Sequence, residues 1–157
     1  MQLGKWLSKW NLDSLSINAS FLSAEISFNN ADRKAAWELY VELITRVTTQ
    51  TITLEDGDEA AAMVSIHALF PRTREILKEH GPDCAEFAKI AVVVLNQVVR
   101  PFLGKWHRRH LDGALQQADQ CAEFRRELDE IREKLGNYTR LLGDIAGVED
   151  LTQLEKT

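Results

Sequence analysis

The sequence predicts a mainly α-helical protein, an antiparallel four-helix bundle with an N-terminal β-strand or hairpin packed against it. Apolar residues recur every three or four positions along most of the chain, which is typical of amphipathic helices. Helix-start and helix-stop residues separate these stretches. Residues 15–28 instead alternate between apolar and polar side chains, as strands do. We therefore expect one helical domain over residues 13–146.

Residues 1–12 read as a short amphipathic helix that precedes this domain. Trp6 and Trp10 share one face with Leu3 and Leu7. Such a helix can dock on its own domain, on a protein partner or on a membrane surface. Both tryptophans are therefore candidate binding residues, and a membrane is the partner that we favour least.

Residues 15–28 are predicted to form one bent strand or two short strands, because the alternation slips between Phe21 and Leu22. An isolated hairpin is not stable in water. The segment should therefore pack on the helices or pair with a second chain.

The next helix is predicted over residues 33–50, after the start signals Asn29, Asn30 and Asp32. Glu42 and Arg46 lie at the favourable i, i+4 spacing on its polar face.

Glycine and proline divide the chain that follows. Pro71 predicts a break near Phe70, because proline lacks the backbone N–H that a helix interior needs. The Gly81–Pro82 pair ends that stretch. Pro101 predicts a kink in the central helix.

Residues 84–110 form the predicted central helix. Its first half is apolar on nearly every side, so neighbouring elements should cover it. Its second half is basic and aromatic. These basic-tip residues are candidates for gripping a nucleic-acid backbone and stacking on a base, or for capping the negative end of the helix. They are Lys105, Trp106, Arg108 and Arg109.

The last helix is predicted over residues 111–145, a length of about 50 Å at 1.5 Å per residue. A compact bundle does not need so long a helix, so its far half should overhang or pair with another copy. Phe124, Leu128 and Leu135 are the candidate docking residues there. Residues 147–157 form a polar tail.

Composition narrows the function classes. The 157 residues carry a net charge of −5, which argues against binding nucleic acid over the whole surface. Two cysteines without a paired motif fit a reducing compartment. The longest apolar stretch, residues 87–99, is interrupted by polar side chains and is shorter than the roughly 20 residues that cross a bilayer. With no leader peptide in view, we expect a soluble, cytoplasmic protein.

The sequence predicts no cofactor and no metal site. Residues 55–59 begin like a calcium loop but lack its ligand spacing. No glycine-rich phosphate loop or nucleophile motif is present in the sequence. Arg100 lies on an otherwise apolar helix and should find a carboxylate partner, for which Glu38 and Glu42 are the candidates.

Two resemblances qualify this interpretation. The phrases AAWELYVEL (residues 35–43), LFPRTREIL (69–77) and VLNQVVRPFLGKWH (94–107) resemble those of uncharacterised small bacterial proteins. The spacing of Arg100 and His107 is similar to the arginine–histidine motif of HEPN-superfamily ribonucleases. That resemblance implies His107 as general acid/base and Arg100 as the phosphate-stabilising group.

The sequence therefore predicts a non-enzymatic interaction module, a small accessory subunit or adaptor that binds a protein partner or a second copy of itself. The alternatives are a HEPN-like ribonuclease of a defence or toxin system, with Arg100 and His107 catalytic, and a nucleic-acid-binding subunit that uses residues 100–110.

Overall fold

The computed structural model of the protein describes residues 1–46 and 59–154, and these residues are mainly helical. Eight α-helices lie in the described part of the chain: α1 Leu3–Lys9, α2 Ala19–Leu22, α3 Asn30–Ile44, α4 Glu59–His67, α5 Leu69–His80, α6 Ala85–Val94, α7 Arg100–Leu111 and α8 Ala118–Ala146. Short 3₁₀ turns span Gly81–Cys84, Ala114–Gln116 and Leu151–Gln153, and a π-turn spans Leu95–Val99. The predicted mainly α class is confirmed, whereas a simple four-helix bundle is not.

The predicted strand over residues 15–28 is wrong. Within the described residues this segment contains α2 and one isolated antiparallel bridge, between Gln2 and Glu25. The side chain of Asn18 accepts a hydrogen bond from the backbone N–H of Ser20 at 2.9 Å, so it caps a single helical turn. This local capping bond overrides the two-residue alternation.

The start of α3 is fixed by the residues that the sequence indicated. Asn29 and Asp32 exchange side-chain-to-backbone hydrogen bonds of 2.8 and 3.0 Å, a capping box. Asp32 is 1% exposed, and its second carboxylate oxygen accepts the backbone N–H of Phe87 at 3.0 Å. One buried carboxylate therefore ties the beginning of α3 to the beginning of α6.

The predicted breaks lie where proline and glycine put them. The chain leaves α4 at His67 and begins α5 at Leu69, just before Pro71. Gly81 has a φ of 64°, a left-handed value that ends α5. The π-turn precedes Pro101, and there the backbone N–H of Arg100 donates to the carbonyl oxygen of Leu95, five residues back.

Helix α8 packs along α3 and forms the main axis of the core. It begins at Ala118, after the 3₁₀ turn, rather than continuing from residue 111 as predicted. Its C-terminal half is the more buried half, because Leu135, Leu141 and Leu142 are fully enclosed by the chain itself. The predicted overhang of that half is therefore wrong.

The helical run Glu59–Leu111 contains the one stretch in the described chain that is long and apolar enough to cross a membrane by length and composition, and 39% of that window is buried. Core helices of water-soluble proteins pass the same test. The cytoplasmic location stays a prediction.

Candidate functional site

The basic tip of α7 is largely committed to carboxylates of α8. The ammonium of Lys105 donates to Glu127 at 2.6 Å and to Glu123 at 3.2 Å. Trp106 is fully buried, and its indole N–H donates to Glu127 at 2.7 Å. Arg109 donates to Glu123 at 3.1 Å, and its guanidinium lies 5.0 Å from the Trp106 ring centroid. These side chains join two helices, and the Trp106 ring is not open to a base.

The charged groups of this contact shift one another's pKa values. Hydrogen bonding to Glu127 raises the pKa of the Lys105 ammonium. The hydrogen bond from Lys105 lowers the pKa of the Glu123 carboxyl, and the nearby Arg109 charge lowers it further. The tip is therefore an ion-paired contact at neutral pH.

The remaining polar candidates on α7 face solvent. Arg100, His107 and Arg108 are exposed. Arg100 and His107 are seven residues apart, which places them about 10 Å apart along one helix face. The predicted carboxylate partner of Arg100 is wrong: Glu42 pairs with Arg46 and Arg72, and Glu38 pairs with His80.

The apolar candidates on α8 belong to the protein's own core. Phe124, Leu128 and Leu135 are 0%, 3% and 0% exposed. Phe124 contacts Trp106 edge-on at 5.2 Å between ring centroids. Their assignment as docking residues is therefore corrected, since none of these three side chains presents a surface to a partner.

The N-terminal tryptophans also pack on their own chain. Trp6 is 2% exposed, and its indole N–H donates to Asp144 of α8 at 2.9 Å. Trp10 is half-buried, and its indole nitrogen is enclosed without a hydrogen-bond partner. Of the three interpretations of residues 1–12, the geometry matches docking on the protein's own domain.

An open apolar groove of about 700 Å³ lies between α1, α5 and α6. One wall is α6, which contributes Ala88, Val92 and Val93. The opposite wall is α1 with the segment between α1 and α2, and the end of α5 closes the side. Phe21 and Val92, large apolar side chains at the groove, are 47% and 46% exposed. We call this feature the apolar groove.

One side chain fastens the outer wall of the groove. The amide of Gln97, in the π-turn, accepts the backbone N–H of Ser16 at 2.7 Å and donates to the backbone carbonyl of Ser16 at 2.6 Å. The segment that carries Leu15 and Ile17 into the groove is thereby held against α6. At the rim, the ammonium of Lys89 lies 5.8 Å from the Phe21 ring centroid.

A smaller cleft of about 160 Å³ adjoins the groove, and Leu77 and Val92 line both. Its polar residues are Thr73, Arg74, Asn96 and Arg100. Among the described residues, no carboxylate lines this cleft. We call it the arginine cleft.

Glu38, Glu79 and His80 form the one group of described residues that could offer three ligands to a metal ion, with ligand atoms within 4.8 Å of one another. His80 Nε2 and Glu38 Oε1 are 3.1 Å apart. This hydrogen bond accounts for the cluster as a contact between α3 and α5. Residues 55–58 of the rejected calcium-loop match lie outside the described residues.

Sequence reasoning missed the groove and Arg74 as part of a site. The available signal was the central helix, whose apolar residues on every side predict complete coverage. Neighbours cover only part of α6, since Val92 remains about half exposed. Gln97 is one of the polar residues that interrupt the apolar stretch 87–99, and its amide pairs with the Ser16 backbone.

The described residues form a mainly helical protein with an open apolar groove. Comparison with models of known families, with curated proteins and with solved structures finds no match to this chain.

Proposed function

We propose that this protein is a non-enzymatic binding protein that holds an apolar molecule in the apolar groove. The groove itself carries the proposal: about 700 Å³ is lined almost wholly by hydrocarbon side chains and is open on one side. Sites for small molecules have volumes of about 300–1,000 Å³ and mostly apolar linings with a few polar groups. The groove has both properties.

Energetics support an occupant. Phe21 and Val92 both line the groove, and each is roughly half exposed to water. Removing apolar surface from water stabilises a complex by about 25 cal/mol per Å². A hydrocarbon chain in the groove would recover that free energy without any rearrangement of the core.

The predicted protein partner is retained as a second candidate function. Trp37 and Val41, one turn apart on α3, are 43% and 37% exposed and offer an apolar surface outside the groove. A small accessory subunit or adaptor of a bacterial system would use such a surface. Stoichiometric co-purification of one protein with the tagged chain, lost in Trp37→Ala, would favour this candidate.

Ribonuclease activity and nucleic-acid binding have less support. Lys105 and Arg109, two of the three cations expected to grip a phosphate backbone, are paired with glutamates. Arg100 and His107 share an exposed helix face but no described contact joins them. Catalysis at this pair stays a prediction, and loss of RNA cleavage in His107→Ala would support it.

The test of the groove uses N-phenyl-1-naphthylamine, an uncharged apolar probe whose fluorescence rises in apolar sites. Wild-type protein should bind it saturably. Val92→Asp should weaken binding at least about ten-fold, because an occupant would desolvate the new carboxylate.

The matched control is Val64→Asp, since Val64 is 71% exposed on α4 and lies outside the groove. This variant should bind the probe as the wild type does. Absence of binding by the wild-type protein, or equal weakening by both substitutions, would refute the proposal.

A further inference from the structure

We propose that the occupant of the groove is a single-chain anionic amphiphile, a fatty acid, whose carboxylate lies in the arginine cleft. This inference rests on the proposed function and adds the chemistry of the head group. A groove within the size range of small-molecule sites suits one hydrocarbon chain. The adjoining cleft gives the chain a polar end.

The groove and the cleft are adjacent. Leu77 of α5 and Val92 of α6 line both. A hydrocarbon chain that follows Val92 along α6 therefore meets Arg100 just beyond the π-turn. An apolar groove beside a cleft that contains two arginines matches a hydrocarbon chain with an anionic head group, as in a fatty acid.

No carboxylate of the described residues pairs with the positive charge of the cleft. Within the described residues, neither Arg74 nor Arg100 has a carboxylate partner. Other cations on α5 and α7 do have carboxylate partners: Arg72, Lys105 and Arg109 are each ion-paired with a glutamate. An anionic ligand would supply the missing countercharge.

Arg100 is already oriented for this role. Its Nε–H donates to the side-chain oxygen of Asn96 at 3.1 Å, and its guanidinium carbon lies 5.0 Å from the Phe70 ring centroid. These contacts leave the two terminal guanidinium nitrogens free to bind a carboxylate in the bidentate geometry that arginine favours. A preorganised side chain loses less conformational freedom when a ligand binds.

Thr73 is a second, independent indication. It lines the cleft, is 1% exposed, and its hydroxyl oxygen has no hydrogen-bond partner. Buried hydroxyl groups without partners are rare in proteins, because each costs free energy. A ligand carboxylate in the cleft would accept from this hydroxyl after the side chain rotates about its Cα–Cβ bond, since the oxygen itself is enclosed.

The experiment is competition against N-phenyl-1-naphthylamine by sodium dodecanoate and by dodecanol, which have the same chain and different head groups. Both are used below the critical micelle concentration of dodecanoate. Dodecanoate should displace the probe at about ten-fold lower concentration than dodecanol, since one charge-assisted contact is worth about a factor of ten or more.

Arg74→Gln and Arg100→Gln should each remove about ten-fold of dodecanoate affinity and leave the dodecanol and probe affinities unchanged. Arg108→Gln is the control, because Arg108 is exposed on α7 outside the cleft. It should change none of the three. Far-UV circular dichroism establishes that each variant is folded.

The outcomes separate the two proposals. Equal displacement by dodecanoate and dodecanol would overturn the anionic head group and leave the apolar groove in place. Dodecyl phosphate is tested in the same way as a third ligand. If it displaces the probe more strongly than dodecanol while dodecanoate does not, the assignment of the ligand as a fatty acid is refuted. If the wild-type protein does not bind the probe at all, the proposed function fails first.

Discussion

Trp106 shows how one side chain can be fully buried and still satisfy its polar atom. Its indole N–H reaches Glu127, while the ammonium of Lys105 bonds to the other oxygen of the same carboxylate. Two flanking cations, Lys105 and Arg109, lie within 5.2 Å of the ring centroid. A cluster of basic and aromatic residues in a sequence can therefore be an internal contact as readily as a nucleic-acid surface.

The Lys105–Glu123 pair predicts an acid-sensitive contribution to stability. Because the pKa of Glu123 is lowered in the folded protein, its contribution is present above the unfolded-state pKa of about 4 and is lost as the pH falls through the lowered value. Urea unfolding midpoints of wild type and Glu123→Gln should therefore differ at pH 7, with the wild type the more stable, and the difference should shrink as the pH falls below about 4.

Glu133→Gln is the control for this titration, since Glu133 is exposed and has no described ion pair. It should leave the midpoint unchanged at both pH values. A wild-type advantage over Glu123→Gln that is as large at pH 3 as at pH 7 would contradict the assignment.

At the scale of elements, the π-turn and the first residue of α7 carry three polar side chains with different roles. Gln97 fastens the groove wall, Asn96 orients Arg100, and Arg100 lines the cleft. Single π-turns within helices are frequent at functional sites. Here the turn lies between α6, which lines the apolar groove, and Arg100, which lines the arginine cleft.

Gln97→Ala should release the groove wall. The substitution removes both bonds to the Ser16 backbone and should lower the free energy of unfolding by about 1 kcal/mol. The larger effect should be local: the amide of Ser16 should exchange with solvent faster, as measured by hydrogen exchange, and probe affinity should fall.

Ser16→Ala is the matched control, because neither bond uses the serine side chain. It should leave exchange and probe binding close to wild type. Unchanged exchange at position 16 in Gln97→Ala would show that the wall is held by other contacts.

For the whole molecule, the packing of α3 on α8 organises the fold. A Cβ added at Gly143 would lie 3.2 Å from the Tyr40 ring, so glycine allows the close approach of the two helices there. The Tyr40 hydroxyl in turn accepts the backbone N–H of Leu151 at 2.8 Å. The beginning of the predicted polar tail is thereby attached to the core; residues 155–157 lie outside the described chain.

Leu135→Ala should destabilise the entire domain by about 2–5 kcal/mol, because Leu135 is fully buried and its truncation leaves a cavity. Urea unfolding followed by circular dichroism should show one cooperative transition at a lower midpoint. The native mass, measured by light scattering, should not change. A lower native mass of Leu135→Ala with an unchanged urea midpoint would instead indicate that Leu135 contacts a second chain.

The sequence predicts those features that depend on local chemistry. Asn29 and Asp32 indicate the start of a helix, where the structure has a capping box. Pro71 and Gly81 indicate helix breaks, and α5 begins just before Pro71 and ends just before Gly81. The strand prediction for residues 15–28 is wrong because alternation favours a strand only where the packing around the segment supports one. Here the capping bond at Asn18 stabilises a helical turn instead.

The candidate site could not be predicted in the same way. The groove joins residues such as Leu7 and Val93, and the cleft joins Arg74 to Arg100, pairs that are distant in sequence. Their juxtaposition depends on how the helices pack, which periodicity does not encode. Apolar patterning also cannot tell a side of α6 that is covered from one that is left open.

The attachment of the groove wall has a consequence for how the sequence can diverge. Gln97 recognises position 16 through its main chain alone, so any residue with a backbone N–H satisfies the contact and only proline removes the donor. Position 97, in contrast, needs a side-chain amide of this length. In relatives of this protein, the residue at position 16 should therefore vary freely apart from proline, whereas the glutamine at position 97 should be nearly invariant.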